Sequence, residues 1–230
     1  MATDRLKPGD VIGSALEIYG AQVWVLIPSA AVVFAVSGVA QLALSRRALP
    51  LLALVGFVLA LFYQGMVAEL VRDAQDGRRD NSAWHLFTSV APMLLSLLGL
   101  SILYALGVGL GLILLIVPGL YLLTIWAVAT PSLVIERLGT LDALGRSRAL
   151  VRGHGWQVFR VILVVAAVQI IVGVLSNVIG TGLSAAGLAV VQWAAAVIVS
   201  PFAALVTAVL YFSLRRLHDE AATPTGELSD

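Results

Sequence analysis

The sequence predicts an all-α integral membrane protein, a bundle of about six transmembrane helices with interfacial amphipathic helices at the N-terminus and between spans four and five. Three observations carry this. Of the 230 residues, 60% are hydrophobic and 12% charged, with a mean hydropathy of +1.00, whereas about a quarter of an ordinary soluble domain is charged. The apolar runs last about 20 positions, enough to cross a hydrocarbon core as a helix. They continue through both strand phases, which excludes the alternating strands of a transmembrane barrel. Lys and Arg, finally, are distributed one-sidedly, as the positive-inside rule requires.

Residues 1–20 form the N-terminal segment. Pro8-Gly9-Asp10 starts a helix in which Val11, Ile12, Ala15, Leu16 and Tyr19 share a face opposite Ser14 and Glu17, and this face is expected at the membrane interface. The apolar run that follows is too long for the core of a secretory leader. The first span covers residues 21–44 and stops at Ser45-Arg46-Arg47; the second, 49–71, stops at Arg72-Asp73. From Leu86 to Ile135 there is no Asp, Glu, Lys or Arg, room for two spans of about 20 residues. They are expected at 86–106 and 111–135, with Gly107-Val-Gly-Leu-Gly111 as the turn. A turn there outweighs the alternative reading of these glycines as a Gly-x-x-x-Gly surface for close helix approach. The fifth and sixth spans, 157–178 and 189–214, flank Ile179-Gly-Thr-Gly-Leu-Ser184, and residues 215–230 form a cytoplasmic tail whose end, from Ala221, is polar and unpatterned.

With six spans and the N-terminus inside, only Arg46 and Arg47 of the 14 Lys and Arg residues fall outside. Both termini are therefore expected in the cytoplasm, and the bacterial plasma membrane is the expected location. A net charge of +1 advertises no nucleic-acid partner. The absence of cysteine excludes disulfides, thiolate metal ligands and a cysteine nucleophile.

Three stretches carry a family resemblance. Leu6-Lys-Pro-Gly-Asp-Val-Ile-Gly-Ser-Ala-Leu-Glu-Ile-Tyr19 opens the chain. Pro118-Gly-Leu-Tyr121 lies at its centre, followed by Ala143-Leu-Gly-Arg-Ser-Arg-Ala-Leu-Val-Arg-Gly153 with Trp156, and Tyr211-Phe-Ser-Leu-Arg215 closes it. Together they resemble the glycerophosphoryl diester phosphodiesterase membrane-domain family, over nearly the whole chain. The resemblance implies a six-span module that some relatives carry beside a soluble phosphodiesterase barrel and others carry alone. No stretch outside the spans is long enough to hold such a barrel, so the resemblance implies no activity. Ser213 stands where it leads one to expect an acidic residue.

The segment from Thr140 to Arg152 holds the main candidate site. Thr140 is the expected N-cap and Gly153 the expected C-terminal stop. At 100° per residue, Leu150, Ala143, Ser147, Val151 and Leu144 share one apolar sector bordered by arginines. Such a helix suits an apolar stripe laid into the inner leaflet, with Arg146, Arg148 and Arg152 meeting anionic lipid phosphates. The plainer reading, in which these arginines only obey the positive-inside rule, weighs more. Glu69 and Glu136 lie near the inner ends of their spans and are expected to form structural ion pairs with these arginines rather than a proton relay. Gln64, Gln169 and Gln192 lie within spans, where their amides bond between helices or, on a sharper reading, line a substrate pathway. Pro118-Gly119 is the expected helix break in mid-span. Trp24, Trp126 and Trp156 are expected as interfacial anchors. No His pair has metal-ligand spacing, no Ser, His and Asp set forms a triad, and Gly180-Thr-Gly182 lacks the strand and third Gly of a dinucleotide loop. No catalytic residue, metal or cofactor is expected.

The function that follows is that of a non-enzymatic, membrane-organising or lipid-contacting protein whose partners are membrane lipids, anionic ones among them. An unidentified protein partner or a second copy of the chain is the other partner class. Two rivals remain: a small transporter or channel for a lipid or amphiphile, and a membrane anchor or regulator of a separate enzyme.

Overall fold

The computed structural model describes residues 6–43, 49–75 and 83–222. The expectations placed on Arg5, Arg46, Arg47, Arg78, Arg79 and the tail beyond Ala222 lie outside them. The elements are α1 (Pro8–Ala43), α2 (Leu49–Gln75), α3 (Ala83–Val90), a 3₁₀ turn (Ala91–Met93), α4 (Leu94–Leu114), α5 (Ile116–Ile125), α6 (Ala129–Ile135), α7 (Thr140–Val151), α8 (Gly155–Gly180) and α9 (Ala185–Ala222). Among the described residues there is no strand. Six helical stretches are long and apolar enough to cross a membrane: Pro8–Ala35, Val55–Gln75, Thr88–Leu114, Ile116–Ile135, Gly155–Gly180 and Ala185–Glu220. Their outer faces leave Leu95, Ile113, Leu114 and Val117 largely exposed, as well as much of α8. Soluble monomers do not leave continuous apolar surface of this kind.

The longest helix, α9, is the axis of the bundle, packed against α1, α2 and α8. It lies antiparallel to α1, whose Asp10 and Ser14, with Lys7 just before them, face Ser213 and Arg216, while further along the Tyr19 hydroxyl donates to the Ile198 carbonyl at 3.1 Å. Pro201, inside α9, withholds the amide hydrogen that would reach the Val197 carbonyl, one residue before Ile198. Between α1 and α2, the buried Tyr63 hydroxyl donates to the Leu26 carbonyl at 2.8 Å. The helix expected over residues 8–20 meets the first long helix at a kink, marked by non-helical backbone at Gln22 (φ −118°, ψ 19°), so α1 is two helical pieces joined there. Val11 and Ala15 of its apolar face are buried, while Leu16 stays exposed.

Prolines place the interruptions, and they do so upstream of themselves. A helical proline clashes with the carbonyl four residues earlier. For Pro118 that carbonyl belongs to Leu114, the last residue of α4, and Leu115 takes extended backbone (φ −157°, ψ 125°). The turn expected at Gly107–Gly111 therefore lies at Leu115. Pro118-Gly119 is not a break in mid-span either, because it sits in the first turns of α5, where a missing amide hydrogen is harmless. The same rule applied to Pro131 points to Ala127, and the mid-span interruption falls at 126–128, between α5 and α6.

The glycines assigned to the turn serve the close-packing role instead. A Cβ on Gly111 would meet the Gly119 Cα at 2.9 Å, one on Gly119 would lie 2.6 Å from the Leu112 backbone nitrogen, and one on Gly107 would strike the Trp126 ring at 2.5 Å. The α4–α5 hairpin is thus closed backbone to backbone, with glycines on both sides of the contact. Trp126, expected at an interface, packs inside, its ring centroid 6.1 Å from that of Tyr104.

Candidate functional site

The end of the bundle that holds α7 gathers the charges. Gly139 and Gly153 frame this helix. Gly139 is the N-cap, in extended backbone with no side-chain cap, and Gly153, at φ +90°, takes the left-handed conformation that ends it. Thr140 does not cap the helix as expected: it is the first helical residue, and its hydroxyl donates to the Ser96 carbonyl of α4 at 2.9 Å. Asp142 in the first turn and Arg148 in the last suit the helix dipole.

The apolar sector read from the sequence is the buried face: Ala143, Leu144, Ser147, Leu150 and Val151. It covers α6 and touches α4, α5 and α9, so the stripe expected in the leaflet packs on protein. The physical reason lies in the interruption between α5 and α6. Broken backbone inside an apolar bundle needs partners. The Ser147 hydroxyl donates to the Ile125 carbonyl at 2.8 Å and accepts the Val128 amide at 3.3 Å. One side chain on α7 thus bridges the two loose ends of the broken span.

The same placement sorts the three arginines. Arg146 Nε donates to both oxygens of Glu136 at 2.9 Å, and the Tyr211 hydroxyl of α9 donates to Glu136 Oε1 at 2.7 Å. Glu136 therefore ties the end of α6 to α7 and α9. Asp142, at (i, i−4), is not the partner of Arg146. Glu69, buried in α2, lies 2.7 Å from Arg72 Nη2 and 3.6 Å from Arg137 Nη2, and so pairs outside the Thr140 helix. Arg137 stands at φ +54° where α6 ends, closing a Schellman turn in which Leu138 N–H reaches the Leu133 carbonyl at 3.0 Å. A non-glycine residue there costs of order 1 kcal/mol, offset by the approach of its guanidinium to Glu69.

Arg148 and Arg152 are exposed, and neither makes an ion pair among the described residues. They line a groove of about 570 Å³ together with Tyr121, Ile125, Val151, Gly153 and Gly155. Two guanidinium groups thus stand beside an apolar wall made by α5, at the start of α8. Trp156, exposed as an interfacial anchor would be, stacks on Phe159 at the same end, with ring centroids 5.5 Å apart.

Of the embedded amides, Gln64 donates to Thr207 Oγ1 of α9 at 2.8 Å, the interhelical bond that its position suggested. Gln169 and Gln192 line a second hollow, between α8 and α9. Sequence reasoning missed Tyr211, Arg137, Thr207 and the bridging role of Ser147. Only Ser147 carried a readable signal, as the one polar residue in the apolar sector. Among the described residues no three His, Asp or Glu side chains come together as a metal site.

No curated protein and no solved structure matches the chain. A family model described as a domain of unknown function (DUF8558) matches residues 82–229, from the residue before α3 to the last residue but one. That is more than half of the sequence, and the chain belongs to this family.

Proposed function

We propose that the protein is a non-enzymatic multi-pass protein of a bacterial plasma membrane that holds anionic lipid in the groove between α5, α7 and α8. The observation that carries this is the pairing, in one groove, of two arginines without internal carboxylate partners and an apolar wall that an acyl chain can follow. Arg146, committed to Glu136, serves the fold in this reading, so the lipid contact rests on Arg148 and Arg152. The resemblance to the glycerophosphoryl diester phosphodiesterase membrane-domain family supports a stand-alone membrane module. The reading concerns this membrane module alone and assigns it no phosphodiester chemistry.

Each basic group near an anionic leaflet gains about 1 kcal/mol, so Arg148→Ala with Arg152→Ala is expected to weaken retention of anionic lipid about 30-fold. Raising salt should erode retention in the parent and matter little in the double variant. The measurement is anionic against neutral lipid retained by each purified protein at low and high salt. Equal, salt-insensitive retention by two folded proteins would defeat the proposal.

The same reading places α7 and both termini in the cytoplasm, because the described start and end of the chain lie at the charged end of the bundle. Single cysteines on the cysteine-free background test it. Thr181→Cys, in the exposed turn between α8 and α9, is expected to react with a membrane-impermeant thiol reagent on intact cells. Ala149→Cys, exposed on α7, should react only after permeabilisation. The reverse pattern would overturn the orientation.

A further inference from the structure

Two hollows along α8 and α9 share Gln169 and Ser200. The inner one, about 370 Å³, lies within the bundle and is walled by apolar side chains such as Phe57, Tyr104, Trp126 and Val165. The other, about 300 Å³, continues along the outer half of α8, past Ser176, Asn177 and Gln192. Each has the size of a small-molecule site. Together they form one cleft along α8 and α9, with the aromatic side chains gathered in the inner hollow and Gln169 and Gln192 at and beyond its outer end.

Some of these polar groups are already engaged. Ser176 and Asn177 close their donors on α8 itself, onto the Val172 and Gly173 carbonyls. Gln64 is engaged with Thr207. The amides of Gln169, exposed on α8, and of Gln192, half-buried on α9, make no hydrogen bond among the described residues, although both lie in stretches long and apolar enough to cross a membrane. A primary amide left without a partner in apolar surroundings is costly, and membrane interiors retain such groups where something polar meets them. No Asp, Glu, Lys, Arg or His lines either hollow, so an ion entering would give up its hydration without gaining a counter-charge. Gly173, Ala195 and Ala196 keep the outer cleft open beside these amides.

We propose that the cleft binds a neutral single-chain amphiphile with a hydroxylated head, the head hydrogen-bonded by Gln169 and Gln192 and the chain filling the aromatic-walled inner hollow. This site is separate from the arginine groove and has the opposite electrostatic preference. From Gln169 to Asn177, eight positions on, α8 rises about 12 Å, enough for a glycerol head.

The experiment uses the full chain in nanodiscs of neutral phosphatidylcholine, photolabelled with a monoacylglycerol that carries a diazirine in its chain, with the labelled peptides mapped by mass spectrometry. Label is expected on α2, α4, α8 and α9 residues facing the inner hollow, competed by unlabelled monoacylglycerol and poorly by the fatty-acid anion of the same length. Gln169→Leu is expected to lower competable labelling about fivefold, and Ala203→Phe, which fills the inner hollow, to abolish it. Arg148→Ala with Arg152→Ala should leave it unchanged, so this proposal and the arginine groove stand or fall separately. Label spread evenly over the outer helix faces without competition, or equal competition by the anion, would overturn the site. Parent-like labelling of folded Gln169→Leu would overturn it as well, whether or not Ala203→Phe folds.

Discussion

Gly119→Ala is expected to cost the protein about 2–3 kcal/mol, although it adds a single methyl group. That methyl would sit 2.5 Å from Leu112 Cγ and 2.6 Å from the Leu112 backbone nitrogen. The side-chain clash could be relieved by a rotamer change, but the backbone clash cannot, so α4 and α5 must move apart. Gly111→Ala meets the same contact from the other side, 2.9 Å from the Gly119 Cα, and should cost a similar amount. The internal control is Gly109, in the same helix with nothing within 4 Å of its added Cβ, where alanine should be neutral or stabilise by up to about 1 kcal/mol through helix propensity. Reversible unfolding in bicelles measures all three. If Gly109→Ala and Gly119→Ala unfold alike, the hairpin is not closed by its glycines.

These glycines also show where the sequence stops being readable. Runs of apolar residues fix the length and type of helices because the physics is local: a backbone in hydrocarbon must satisfy itself along its own chain. The buried face of α7 was legible for the same reason, since a 100° period assigns Ala143, Leu144, Ser147, Leu150 and Val151 to one sector with no knowledge of what covers it. What covers it was not legible. An amphipathic stripe bordered by arginines looks the same whether it faces lipid or the broken ends of a neighbouring span, and here it faces the break that Ser147 bridges. Gly107 and Gly111 likewise carry no local mark that separates a turn from a packing surface, because the difference lies in Trp126 and Gly119 across the contact. The prolines carry a local signal for the interruptions. Their steric effect falls four residues upstream, which points from Pro118 to the end of α4 and from Pro131 to the interruption at 126–128.

The ion pairs divide along the same line. That Glu136 would meet an arginine of α7 followed from a short connection between two helices that both end in charge. That Tyr211, far along the chain, would complete the cluster required the antiparallel return of α9. Glu69 was readable only as far as Arg72, three residues on in the same helix, and not as far as Arg137.

Removing Arg146 should therefore read out as lost stability and not as lost lipid. In Arg146→Met the Glu136 carboxylate keeps only the Tyr211 hydroxyl. Breaking a fully buried pair from one side costs about 3–5 kcal/mol; here the side chains are 27% and 21% exposed, and water screens part of the loss, leaving about 1–3 kcal/mol. Glu136→Met should cost less, because the freed guanidinium can swing toward solvent on its flexible stem. The double variant removes both charges at once and should be more stable than the sum of the two single losses, with a coupling of about 1 kcal/mol or more. Anionic lipid retention is expected to remain at the parent level in Arg146→Met, in contrast to the variant lacking Arg148 and Arg152. A folded Arg146→Met protein with parent stability and diminished lipid would reverse the division, making Arg146 a lipid ligand and its contact with Glu136 incidental.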